Sequence, residues 1–255
     1  MNSSSLTVEE SVSELTMVFK LTCLVVLVFG FTQSAVLPSV QKCKLGDSAC
    51  LTPAFQKMMP IFMVGISENK VDVLDPMDMD DLAFELAGLQ FTLKGGILRG
   101  LKNSVVDNVD WDTKKKNFAV NFHLDVAVKG HYTAAGRILI LPITGDGQLK
   151  LKLKNLAIKL VIYYDIVKNV GGKDIIKPKK YKIDFEVKDS AHYHLSNLFN
   201  GNKQLSEAML TFLNDNGKQI ADEFGGPMMD LAARTIFKNV KNYFEAMPIE
   251  EITSA

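Results

Sequence analysis

Phe118-Ala-Val-Asn-Phe-His-Leu-Asp-Val-Ala-Val128 carries an apolar side chain at every second position. A β-strand turns successive side chains to opposite faces, so Phe118, Val120, Phe122, Leu124, Val126 and Val128 share one side. Asn121, His123 and Asp125 lie on the other. Period two with one polar face predicts an antiparallel strand wetted on one side. The same reading extends outward. Leu149-Lys-Leu-Lys-Leu-Lys154 alternates without error, and so does Tyr181-Lys-Ile-Asp-Phe-Glu-Val-Lys188. Weaker alternation covers residues 84–101 and 134–141. Gly145-Asp-Gly147 and Asn169-Val-Gly-Gly172 supply turn chemistry between the runs.

The period changes on both sides of this region. Ala54, Phe55, Met58, Met59 and Phe62 recur at spacings of three and four, predicting a helix over 49–64. Pro60 should disturb it and Gly65 should end it. From Gln204 a second helical stripe runs through Leu205, Met209, Phe212, Leu213, Ile220, Phe224, Met228, Leu231, Ile236 and Val240. Gly225-Gly226-Pro227 interrupts it and predicts a bend or break. The fold class is therefore α+β: a short N-terminal helix, a long antiparallel sheet and a long C-terminal helix. Each strand has one apolar face that needs cover, and a helix laid against a curved sheet supplies it. Periodicity leaves open whether the enclosed space is filled or hollow. Taken alone it favours a filled core, because buried apolar side chains are the default.

The first 34 residues read differently. Leu21-Thr-Cys-Leu-Val-Val-Leu-Val-Phe-Gly-Phe31 is uncharged and apolar, follows Lys20, and ends in Thr32-Gln33-Ser34-Ala35. This predicts a secretory signal peptide over 1–34, with one domain over 35–255. The run is shorter than the ~20 apolar residues that span a bilayer, so no stable membrane anchor is expected. Glu9, Glu10 and Glu14 suit a signal n-region poorly, and Met17-Val-Phe-Lys20 makes the better start of translation. Cleavage removes Cys23 and leaves Cys43 and Cys50, an even pair in an exported chain, which predicts a disulfide. Basic and acidic residues balance at 29 each, which gives no electrostatic case for nucleic acid.

Several ordered segments together carry a family likeness. These are Cys43-x6-Cys50, Val73-Leu-Asp-Pro76, and the central Gly130-His-Tyr-Thr-Ala-Ala-Gly-Arg-Ile-Leu-Ile-Leu-Pro-Ile-Thr-Gly-Asp-Gly147. Leu198-Phe-Asn-Gly-Asn202, Phe212-Leu-Asn-Asp215 and Phe244-x3-Pro248 follow in order. The chain resembles the insect takeout and juvenile-hormone-binding protein family across nearly the whole mature length. The resemblance implies a tubular lipid-binding fold, in which a curved antiparallel sheet wraps a long helix around an apolar cavity. It implies a terpenoid, fatty-acyl or similar ligand, secretion into haemolymph or related fluids, and links to circadian, feeding or courtship physiology. Dedicated haemolymph hormone carriers have a second disulfide joining sheet to helix. No Cys follows Cys50, which places the chain with the takeout-like branch.

The sequence carries no Gly-x-Ser-x-Gly elbow, His-Glu-x-x-His pair or Walker loop. The expectation is a non-enzymatic protein without cofactor or metal. His192 and His194 flank Tyr193 on one strand face and read as a surface pair; His123 and His131 are solitary. Asp75, Asp78, Asp80 and Asp81 lack the spacing of a calcium loop and read as a solvated turn. Lys177-Pro-Lys-Lys-Tyr-Lys182 reads as a solvated strand face. The expected partner is a small hydrophobic ligand held by a monomer, with any receptor unspecified. Tyr132, Tyr163 and Tyr164 are candidates to orient it, since a phenol lines an apolar wall and still donates a hydrogen bond. Phe122, Phe185, Leu213 and Phe224 are the apolar candidates, taken from face alternation. The alternative is a secreted signalling protein that acts through its surface, with a vestigial cavity.

Overall fold

The computed structural model describes residues 41–254. The segment expected to be a signal peptide, the expected start at Met17, and Cys23 lie outside the described residues. Cys43 and Cys50 form a disulfide with Cα atoms 5.7 Å apart. It ties the segment that precedes helix α1 (Ser48–Met63) to that helix, whose first turn is capped by the Asp47 carboxylate accepting from the Cys50 N–H. Gly65, at a φ of +93°, ends the helix and donates to the Phe62 carbonyl.

Seven antiparallel strands follow: β1 (Met77–Met79), β2 (Leu82–Leu86), β3 (Leu89–Arg99), β4 (Val105–Asp112), β5 (Asn117–Ile138), β6 (Leu141–Lys168) and β7 (Asp174–Leu195). The sheet runs β1-β3-β5-β6-β7 and does not close; β2 also pairs with β3, and β4 with β5. The three long strands carry most of it. Their hydrogen-bonded register slips in a shared band, between Leu124 and Val126, Lys154 and Leu156, and Val187 and Ser190, and β6 slips against β7 once more between Tyr163 and Tyr164. Asn155 sits there at a φ of +51°. The Asp125 carboxylate accepts from the Lys154 ammonium and the Asn155 N–H, and the Asn155 amide donates to Asp189. The Lys154 ammonium and the Asn155 N–H hold the Asp125 carboxyl below the usual carboxylate range. Bulges aligned across three strands bend and twist them together, which gives the sheet its curl.

The C-terminal stripe forms three helices: α2 (Lys203–Asp215), α3 (Gly217–Phe224) and α4 (Gly226–Ala246), with a last turn α5 (Ile249–Ile252). The expected interruption at residues 225–227 is present. Gly225 keeps α-helical angles, and Pro227 lacks the N–H that would continue the ladder. A second break falls at Asn216, which the periodicity did not foretell. There Gly217 comes so close to β7 that a Cβ on it would stand 2.2 Å from the Ala191 carbonyl oxygen. Further on, fully buried Asn239 accepts from the Asp72 N–H at 2.7 Å and donates to the Thr235 carbonyl. That pair pins α4 to the segment after α1.

One of the four acidic residues read as a solvated turn is not solvated. Asp75 is buried, and its carboxylate accepts from the backbone N–H groups of Gly100 and Lys102. Those donors lie in a turn 25 and 27 residues away, so Asp75 fastens the β3–β4 connection to the end of the loop after α1. Asp78, Asp80 and Asp81 are exposed.

Candidate functional site

The concave face of the sheet and the inner faces of α1, α2, α3 and α4 enclose an elongated cavity of about 310 Å³. Its wall follows β5 from Phe118 to Ile138, nearly the whole of a 22-residue strand. At ~3.3 Å per residue such a strand has a path of about 70 Å, so the space is slender. Its volume falls at the lower end of the ~300–1,000 Å³ usual for ligand pockets. The lining is almost wholly apolar. Sheet alternation supplies one wall, for instance the cross-strand row Phe122, Ile158 and Phe185. Helix α1 supplies Phe55, Met58, Met59 and Phe62, and α4 supplies Met228 and Met229. Unbranched Met side chains shape such a wall adaptably.

At the end beneath α1 the wall is aromatic. Trp111 stacks on Phe118 with ring centres 4.4 Å apart, and Phe244 stands edge-on to Trp111 at 6.1 Å. Phe62 packs edge-on to Tyr243 at 5.9 Å. Three tyrosines were candidates for polar contact with a ligand, and none lines the cavity. Tyr163 faces outward, with the Lys180 ammonium 5.0 Å over its ring. Ile162 and Tyr164 take the inward positions on either side. Tyr164 is buried behind the wall, and its hydroxyl accepts from the Trp111 indole N–H at 2.8 Å. Burial raises its pKa. Tyr132 is fully buried, donates to the Ser196 carbonyl at 2.8 Å and fills the space over Gly145. Burial, with the Asp146 charge adding, pushes its hydroxyl up to about 12.

The other four candidates, Phe122, Phe185, Leu213 and Phe224, do line the cavity. So do two tyrosines that were not singled out, Tyr193 and Tyr243. Tyr193 was legible: His192 and His194 on either side face outward, so alternation turns Tyr193 inward. Its hydroxyl donates to the Gly217 carbonyl at 3.2 Å, and burial raises its pKa. Burial raises Tyr243 as well. Among the described residues the Tyr243 hydroxyl has no hydrogen-bond partner, and the residue forms part of the cavity wall.

The histidines lie elsewhere. His123 and His131 each contact a carboxylate, Asp107 at 2.8 Å and Asp146 at 2.7 Å. His192 and His194 are exposed on β7. Among the described residues no cluster of three potential metal ligands occurs, and no helix is long and apolar enough to cross a membrane.

The Trp111–Tyr164 bond gives a direct test of the wall. Tyr164→Phe leaves a buried indole N–H without its acceptor, at a cost of about 1–3 kcal/mol. Tyr163→Phe, on the outer face, is expected to be neutral. Equal thermal unfolding midpoints for the two variants would refute this assignment.

A curved sheet closed by helices around an apolar cavity defines a structural class of protein, and comparison places it. Residues 22–254 match the family model described as haemolymph juvenile hormone binding protein (JHBP), and the chain belongs to that family. The crystal structure of Takeout 1 from Epiphyas postvittana superposes with a TM-score of 0.83 at 59% identity, covering 85% of this chain and all of that one. The chain is 28% identical over 224 residues to the circadian clock-controlled protein daywake of Drosophila melanogaster, covering 83% of this chain and 86% of daywake. Likeness to the juvenile hormone-binding protein of Manduca sexta is 29% over 91 residues, or 34% of this chain and 40% of that protein. The family is one of binding proteins, and the chain resembles Takeout 1 far more extensively than the Manduca hormone binder.

Proposed function

We propose that the protein is a secreted, monomeric carrier of a small hydrophobic ligand, such as a terpenoid or fatty-acyl molecule, held in the internal cavity. The observation that carries this reading is the slender cavity of about 310 Å³ with an almost unbroken apolar lining. Burying each CH2 contributes about 0.8 kcal/mol, so a dozen carbons supply roughly 10 kcal/mol before the entropic costs of association. Removal of a signal peptide after Ser34 leaves a single ligand-binding domain from Ala35 onward. The Cys43–Cys50 disulfide suits an oxidising extracellular fluid such as haemolymph. The likeness to the circadian clock-controlled protein daywake supports a role in clock-linked physiology.

Delipidated protein titrated with an environment-sensitive fluorescent fatty acid is expected to bind it saturably, and unlabelled fatty acid is expected to compete. Native mass spectrometry of protein from its source is expected to show a retained lipid. An absence of both would leave a signalling protein with a vestigial cavity. The same titration tests Tyr243. Tyr243→Phe is expected to weaken a carboxyl- or hydroxyl-bearing ligand by roughly fivefold, the worth of one hydrogen bond of ~1 kcal/mol. A plain hydrocarbon of equal length should bind unchanged. Equal weakening of both would show that the hydroxyl does not orient the ligand.

A further inference from the structure

The convex face of the same strands carries cations in hydrogen-bonded register. Lys129 on β5 lies opposite Lys150 on β6, and Lys150 lies opposite His194 on β7. One row along, Arg99 on β3 lies opposite Ala127, Ala127 opposite Lys152, and Lys152 opposite His192. Lys94 lies opposite His131 on the far side of the Lys129 row. Neighbouring strands are ~4.8 Å apart, so the side chains crowd one another. Lys94, Arg99, Lys129, Lys150, Lys152, His192 and His194 are all exposed. Among the described residues, none of the five permanent cations makes a salt bridge. The acids nearby are few and mostly engaged. Asp146 contacts His131, Asp125 is held by Lys154, and Asp81 accepts from the Gly95 N–H. Asp78 lies opposite Ile97, and Asp80 follows Met79, which lies opposite Gly96, so both border the patch at its β1 edge without a salt bridge among the described residues.

Like charges directly opposite in a sheet are destabilising, so the fold gains nothing from this arrangement. Elsewhere the chain pairs its lysines: Lys168 with Asp174, Lys173 with Glu250, Lys179 with Asp165. The overall charge is balanced, so the patch is a local asymmetry that a partner would neutralise. Its composition describes that partner. Four of the five permanent cations are lysines, which act as point charges and suit a diffuse anionic surface; arginine is the residue for bidentate grip on one phosphate. On the opposite face of these strands, Val128, Leu149, Leu151 and Tyr193 line the apolar cavity.

We propose that this convex face docks the protein on anionic phospholipid membrane, bringing the carrier to the surface with which its cargo exchanges. The choice of membrane over another polyanion rests on the carrier reading above. The binding itself is measured separately from ligand uptake.

The test uses the mature chain and vesicles of phosphatidylcholine alone or of equimolar phosphatidylcholine and phosphatidylserine. Flotation is expected to carry the protein with the phosphatidylserine vesicles only, and added salt should release it. Each lysine near such a surface is worth roughly fivefold in partitioning. The triple variant Lys129→Gln/Lys150→Gln/Lys152→Gln should therefore lose on the order of a hundredfold. Its thermal midpoint should hold or rise, because like-charge repulsion has been removed. The control Lys44→Gln/Lys114→Gln/Lys203→Gln changes net charge equally and should keep vesicle binding. Equal losses in the two triple variants would overturn the proposal, as would no vesicle binding at low salt. Retention on a sulfated polysaccharide column without vesicle binding would also overturn it and assign the face to that class. Fluorescent fatty acid uptake, read on the same samples, should be unchanged in both triple variants. Its loss in the wild-type protein would count against the carrier reading and leave the docking result standing.

Discussion

Gly217→Ala is expected to lower stability by about 3 kcal/mol, at the upper end of ordinary overpacking costs. The added Cβ would stand 2.2 Å from the Ala191 carbonyl oxygen and 3.3 Å from the Ala191 Cβ. The first of these obstacles is backbone of Ala191, paired with Leu153 in the sheet, and cannot rotate aside. Helix α3 would have to lift off β7, and with it the start of the cavity wall formed by Ile220 and Phe224. For a domain of this size the thermal midpoint should fall by roughly 6–12 °C. Gly226→Ala is the matched control. Nothing lies within 4 Å of a Cβ there, and its φ is not in the left-handed region. That change should be neutral or stabilise by roughly 0.5–1 kcal/mol, because alanine restricts the unfolded chain. A Gly217→Ala melt that matches the control would show that α3 slides along β7 at no cost.

The break at Asn216 and the close approach at Gly217 illustrate what the sequence could not reveal. An apolar stripe at helical spacing specifies which face is buried. It does not specify where a long helix must bend to follow a curved sheet. That curvature depends on bulges at Asp125, Asn155 and Asp189, which meet only after three strands have paired. Part of the signal was present locally. Inward positions on β6 run Leu149, Leu151, Leu153 and then Leu156, Ile158, Leu160, so the alternation changes phase at Asn155. Strand β4 went unread for the same reason, since its register slips between Val106 and Asn108.

The site was legible to the extent that alternation decides it. Phe122 and Phe185 were placed by parity, and parity would have rejected Tyr163, which follows inward Ile162. Tyr132 and Tyr164 do face inward, but their hydroxyls are taken by Ser196 and Trp111, 64 and 53 residues away in sequence. The burial of Asp75 depends in the same way on distant amides. Whether the interior is filled was not legible at all. Apolar alternation taken alone favours a packed core, because buried apolar side chains are the default, and the structure shows a cavity instead.

Ile158→Trp separates those two states and carries the largest expected effect on binding. Ile158 sits mid-strand on β6, flanked in register by Phe122 and Phe185, and all three line the cavity. An indole projecting there displaces about four methylenes of a bound chain, which at ~0.8 kcal/mol each is roughly 3 kcal/mol, or on the order of a hundredfold in affinity. In a filled core the same change would force neighbours off their rotamers and cost about 1–3 kcal/mol of stability. In a hollow one the ring enters existing space and the thermal midpoint should hold. The expected result is therefore a weakened titration with an unchanged melt. A lowered melt with intact binding would mean that the ligand does not pass the Phe122–Ile158–Phe185 row. A loss of both would leave a folding defect as the cause, which Ile158→Phe, with its smaller ring, would resolve: intermediate affinity at full stability favours the hollow tube.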